Sequence, residues 1–418
     1  MSQVISLQDI TRARRRLRGV AKHTPLQRVS RLSEKYDAEI YFKREDLQDV
    51  RSYKIRGSYN KMATLPKEQL SRGVVCASAG NHAQGLAYAC NAMQVKGLIY
   101  MPAVTPRQKV NKVEMFGKDF VEVVLTGDTF DDAFYQAKRA ADEHGYTFVH
   151  PFDDPDIIAG QGTVGLEILD DLPNNQEADY VIMAVGGGGL SAGVGSVFQQ
   201  LSPDTTILGV EPSGAPAMHD SLVANEIVTL DKIDNFVDGA AVKRVGKVNF
   251  PIVQATMREV LLVPEGKVCN TILELYNEEG LVVEPAGALS VAVLDSIADE
   301  IKGKTVVCVI GGGNNDILRT EEIRERAMLF SGLKHYFIIE FPQRAGSLRE
   351  FLVEVLGPDD DITHFEYTKK HNRATGPAMV GIQLKDPQDL TGIINRLEQK
   401  KINYEHLNDR PLLFELLI

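Results

Sequence analysis

The chain has 418 residues, of which 44% are hydrophobic and 25% charged, with a formal net charge of -11 at pH 7. This length exceeds one ordinary core and predicts two domains, and no apolar run is long enough to span a bilayer. The acidic balance argues against nucleic acid or an anionic membrane as partner, because both demand a basic face.

Near the start, Arg12, Arg14, Arg15, Arg16 and Arg18 form a basic cluster. Residues 19–25 supply no continuous apolar stretch behind it, so the cluster reads as a solvated helix face and not as a secretory leader. From about residue 40 to about residue 310, short apolar runs alternate with helical patterns. Strands are predicted at 73–77, 98–101, 121–125, 180–185, 207–210 and 305–310, and helices most clearly at 84–93 and 130–143. Such alternation implies an α/β sheet with helices on both faces, and ligands at the glycine-rich turns that end several strands. Cys76, Cys90, Cys269 and Cys308 lie far apart and read as reduced, buried thiols of a cytoplasmic protein. The nine histidines form no zinc pattern, and no metal is assigned.

At 321–333 the texture changes to a charged helical connector, which predicts a catalytic domain over 1–325 and a second domain over 326–418. In the second, a strand at 335–341 and a turn at 342–346 precede a helix with Ser347 as N-cap. Its predicted core face is Leu348, Phe351, Leu352, Val355 and Leu356. Strands at 362–368 and 378–384 follow, then a helix carrying Leu390, Ile393, Ile394 and Leu397, and a last strand at 402–407. The order β-α-β-β-α-β is the ferredoxin-like arrangement. No nucleophile and base pair up within it, which suggests regulation or assembly.

Three segments carry chemistry. Gly186, Gly187, Gly188 and Gly189, with Leu190, stand between an apolar strand and a predicted helix start. Consecutive glycines cost backbone entropy, and bare backbone at a helix N-terminus is how proteins hold a phosphate. Lys54, within 52–57, can form a Schiff base with an aldehyde if burial or a neighbouring cation, for which Arg56 is a candidate, lowers its pKa. The pair suggests pyridoxal phosphate. The third segment, Ser78, Ala79, Gly80, Asn81 and His82, leads from a strand into a helix. Its small residues let a substrate carboxylate approach the helix N-terminus, and the Asn81 amide suits a ring oxygen. A plain capped helix start explains the same pattern, and His82 reads better as structural than as catalytic.

Together, 52–57, 78–85 and 186–190 resemble the signature of fold-type II pyridoxal-phosphate enzymes. Within that group the chain resembles the threonine dehydratases, with support from 42–48, 150–154, 158–163 and 283–288. From about residue 330 the tail is similar to the single ACT-like regulatory domain of their short forms. The resemblance implies tryptophan synthase β-like open sheets followed by a ferredoxin-like α+β domain. It also implies a carbon–nitrogen lyase that converts L-threonine, with L-serine as the other candidate substrate, into a 2-oxo acid and ammonia. Lys54 would hold the cofactor and then remove the Cα proton, Asn81 would meet the ring oxygen, and 186–190 would cradle the phosphate. Isoleucine is the implied inhibitor, valine an antagonist, and a homodimer or homotetramer the expected assembly.

Two positions depart from that pattern. Gly311 stands where the family usually places a hydroxyl against the pyridine nitrogen. Ala79 stands where related serine racemases carry a serine base, and alanine cannot move a proton. Of a divalent-cation site known in those racemases, only Glu211 has a counterpart here. The competing readings are a serine-preferring dehydratase, a β-replacement enzyme, a cofactor-binding sensor that has lost catalysis, and a dinucleotide-binding domain. For the last, the G-x-G-x-x-G fingerprint with its distant acid is missing.

Overall fold

The computed structural model describes residues 4–173, 176–367, 374–410 and 413–414. The chain divides into two compact units, Met1–Ile317 and Leu318–Ile418. The charged helix Thr320–Phe330 thereby falls within the second unit.

Ten strands of the first unit fall into two sheets: β1 (Leu26–Arg28), β2 (Glu39–Arg44), β3 (Val74–Ala77), β4 (Gly97–Met101), β5 (Val121–Leu125), β6 (Thr147–Phe148), β7 (Tyr180–Ala184), β8 (Thr206–Pro212), β9 (Glu259–Val263) and β10 (Thr305–Ile310). One sheet has the order β1-β2-β10-β7-β8-β9, the other β5-β4-β3-β6. Every pairing is parallel except β1 with β2. Val181, Ile182, Met183, Val306, Val307 and Cys308 are buried, the near-continuous apolar pattern that parallel strands covered on both faces require. The predicted strands 121–125 and 305–310 appear with those bounds, and the others within one or two residues. Two short strands at 26–28 and 147–148, and β2 and β9, were not among the predicted ones.

The arginine cluster lies on and just after the helix Leu7–Arg16, which buries Ile10 and Ala13. All four cysteines are buried free thiols. Among the described residues, no helix is long and apolar enough to cross a membrane.

In the second unit, β11 (Lys334–Pro342), β12 (Asp361–Tyr367), β13 (Thr375–Gln383) and β14 (Tyr404–His406) form an antiparallel sheet of order β12-β13-β11-β14. With the helices Ser347–Glu354 and Asp389–Gln399, this is the expected β-α-β-β-α-β fold. Thr368, the predicted end of one strand, lies outside the described residues. The N-cap is Gly346, at φ +89°, and not Ser347, which opens the helix and turns its hydroxyl back to Arg344 O at 3.0 Å. The core face is also narrower than predicted: Phe351 and Val355 are buried, but Leu348 and Leu352 are exposed.

Candidate active site

Lys54 opens the helix Lys54–Thr64, with Tyr53 as N-cap. The preceding turn is pinned to the loop after β10, because Ser52 bridges Gly312 and Tyr53 N donates to Gly311 O at 3.1 Å. Lys54 Nζ donates to Pro151 O at 3.1 Å. Burial pushes its pKa down to about 8, against a smaller upward pull from Glu284. Arg56 is not the cause. Its guanidinium is neutralised by Glu45 at 2.8 Å and Glu167 at 2.6 Å, and Lys43 Nζ joins the same buried network 2.9 Å from Glu167.

Phe152, next to Pro151, packs against the tetraglycine bend. A Cβ on Gly187 would lie 2.3 Å from the Phe152 ring, and one on Gly189 3.1 Å from Phe152 Cβ. Gly188 has φ +92° and caps the helix Gly189–Leu201 without a side-chain hydrogen bond. Asn249 Nδ2 ties bend to turn by donating to Gly187 O at 2.6 Å and Phe152 O at 3.2 Å. The turn itself is shaped by His150 Nδ1, which accepts from Asp153 N at 2.8 Å. Burial pushes the His150 pKa down to about 4, so the ring stays a neutral acceptor. Among the described residues, no acceptor meets the N–H groups of Gly187, Gly188, Gly189, Leu190 or Ser191. That leaves a helix N-terminus with unspent donors beside a buried amine, an arrangement that fits an aldehyde carrying a phosphate.

Ser78, Ala79 and Gly80 link β3 to the helix Asn81–Met93, and Gly80 N donates to Ser78 Oγ at 3.2 Å. The His82 ring is spent on the scaffold, with Nε2 3.0 Å from Val149 O and Nδ1 3.3 Å from Ser58 Oγ. Burial, with the nearby Lys54 charge, holds its pKa down at about 3. Asn81 Nδ2 donates to Glu284 at 2.6 Å, and its Oδ1 accepts from Asn314 Nδ2 at 2.8 Å. Gly311 leaves room beside Tyr53: a Cβ there would sit 3.4 Å from the ring, ordinary contact. Glu211 is buried at the end of β8, where it accepts from Met218 N and His219 N, and burial pushes its pKa up to about 8.

Residues 17–312 match the family described as pyridoxal-phosphate dependent enzyme, and residues 325–417 the C-terminal regulatory domain of threonine dehydratase. The chain belongs to the threonine dehydratase family of pyridoxal-phosphate-dependent enzymes. It is 55% identical to the L-threonine dehydratase biosynthetic IlvA of Halalkalibacterium halodurans, over 99% of both chains. It is equally similar to that of Bacillus subtilis, over 100% of this chain and 98% of the relative. Among solved structures, threonine deaminase isoform 2 from Solanum lycopersicum, in its processed form, superposes with TM-score 0.73 at 39% identity, covering 77% of this chain and 87% of that one. The T.th. threonine deaminase gives TM-score 0.70 at 36% identity, over 75% of this chain and 99% of that one.

Sequence reasoning expected Lys54, Asn81 and the glycine bend to form the site. It assigned no role to Asn249, Glu284 or Asn314. For Glu284 a signal existed, since a lone carboxylate in the apolar run 281–286 has to be partnered.

Proposed function

We propose that this chain is a biosynthetic threonine dehydratase that converts L-threonine to 2-oxobutanoate and ammonia, the entry to isoleucine synthesis. One observation carries the reading: a lysine whose pKa burial lowers and a glycine bend with unspent N–H donors flank the same Pro151–Phe152 turn. In the net reaction the β-hydroxyl leaves as water and the released enamine takes up one water on hydrolysis, so threonine loses only ammonia.

When bound, pyridoxal phosphate supplies an electron sink conjugated to the Cα of the amino acid. The chain's own residues supply the rest. The unspent N–H groups of 187–191 and the positive end of their helix bind the phosphate. Lys54, with its pKa lowered to about 8, can take the Cα proton and hold it at Nζ. Pro151 O, 3.1 Å away, aims that amine. The loop Ser78 to His82 and the start of the helix Asn81–Met93 receive the carboxylate, and the Asn81 amide supports the ring oxygen. Alanine at position 79 offers no proton from the opposite face, which favours elimination over racemisation.

The test is direct. Purified protein should be yellow, borohydride should fix the chromophore to the Lys54 peptide, and threonine should yield a keto acid that hydrazine traps. Lys54→Ala should lose the fixed chromophore and at least about a hundredfold in turnover, the scale of a lost general base. Yellow protein that releases no keto acid from threonine or serine would instead support the sensor reading.

The second unit is proposed to bind isoleucine as inhibitor, with valine opposing it. Its fold and its match to a regulatory domain support this. A threonine saturation curve that isoleucine leaves unchanged in rate and shape would refute it. A symmetric dimer or tetramer in the cytoplasm completes the proposal, and light scattering reads the assembly.

A further inference from the structure

Glu284 has no part in the reaction as described above, yet it joins three segments of the site. It precedes the helix Pro285–Ala292, and its side chain is buried. Oε1 accepts from Asn81 Nδ2 at 2.6 Å and Oε2 from Asn314 N at 3.2 Å. The backbone closes on it: a Cβ on Gly312 would lie 2.3 Å from Oε1. Asn314 Nδ2 bonds Asn81 Oδ1 and Val50 O, each at 2.8 Å.

The chemistry of these groups dictates how the Asn81 amide points. An ionised carboxylate only accepts, so it draws the NH₂ end toward itself, and Asn314 takes the carbonyl end. One Asn81 N–H is left over. We propose that Glu284 is a positioning residue for the cofactor: its carboxylate locks the Asn81 amide so that an N–H donor faces the ring oxygen and favours its deprotonated form. The proposal rests on the cofactor reading given above.

Several charged or titratable groups act on Glu284. Asp238 repels its charge and Lys109 attracts it, while Lys54, Tyr53 and Lys112 lie within electrostatic range. Burial, with Asp238, raises its pKa to about 7, so the lock engages as pH rises through neutrality.

The experiment uses holoenzyme and reads absorbance, not turnover. The ratio of the yellow band to the near-ultraviolet band reports the ring oxygen's protonation. Glu284→Ala should lower that ratio about tenfold, the scale of one strong hydrogen bond. Asn81→Ala should do the same, and the double variant should add nothing further, because both act through one contact. Should Glu284→Ala fail to hold cofactor, Glu284→Gln decides: the wild-type ratio should step upward through neutral pH, and the glutamine variant should be flat. A wild-type ratio in Glu284→Ala, additive effects in the double variant, or a pH step retained in Glu284→Gln would overturn the proposal. A wild-type protein without a yellow band would instead overturn the cofactor reading itself.

Discussion

Two buried groups of opposite type titrate near neutrality in this site, and each leaves its mark on stability. Lys54 is held down at about 8 by burial, so between there and its ordinary value of 10.5 the unfolded chain binds more protons than the fold. Stability of the cofactor-free protein therefore rises with pH across that window as far as Lys54 is concerned. Glu284 works the other way: raised from 4.5 to about 7, it binds more protons folded than unfolded, and stability falls as pH climbs between those values. Glu284→Gln is accordingly expected to stabilise the cofactor-free protein above neutral pH by about 3 kcal/mol, with little gain in acid. Urea melts on either side of neutrality measure it, and equal gains at both would refute the assignment. Gly311 yields a second prediction. A serine there has ordinary contact distance to Tyr53 and offers the missing hydroxyl, so Gly311→Ser should tighten cofactor binding up to about tenfold. Equal cofactor retention in both proteins would count against it. Lys54 was legible because the run 52–57 was read beside the glycine bend, although the partner of its amine, Pro151, lies 97 positions away. Arg56 was misread because the carboxylates that neutralise it, Glu45 and Glu167, lie 11 and 111 positions away, where spacing says nothing.

The segment linking β7 to the helix Gly189–Leu201 has almost no tolerance. Gly187→Ala would drive a methyl group into the Phe152 ring. Overpacking of that kind costs about 1–3 kcal/mol, so cofactor affinity should fall by about tenfold or more. Phe152→Ala in the same chain should restore part of it, and titration with pyridoxal phosphate reads both; no rescue would show that the clash lies elsewhere. The glycine run was readable in sequence because four consecutive glycines are costly in entropy; that Phe152, Met218 and Ala240 close on it was not. Strands with near-continuous apolar runs, such as 180–184 and 305–310, were readable for a similar local reason. β6, two residues long, has too little sequence to carry a period. The helix Ser347–Glu354 shows the converse error: apolar spacing named five core positions, whereas Phe351 and Val355 are buried, Leu356 packs against them half-buried, and Leu348 and Leu352 stay exposed.

The two units meet in sequence at Ile317 and Leu318, and both side chains are more than three-quarters exposed. Limited trypsin digestion of the native chain is expected to cut first near Arg319; early cuts inside either unit instead would contradict that division. The order in which strands enter the larger sheet has a further consequence. β10 is the last strand of its unit to be made, yet it sits between β2 and β7 and pairs with β2 from Thr305↔Glu39 to Ile310↔Arg44. A nascent chain leaving the ribosome therefore carries a sheet split down its middle until about 310 residues have emerged, with two strand edges bare and open to chaperones or to mispairing. The segment that closes this gap also delivers Gly311, Gly312 and Asn314 to the site. Synthesis thus withholds the capacity to act until the whole unit is ready to fold.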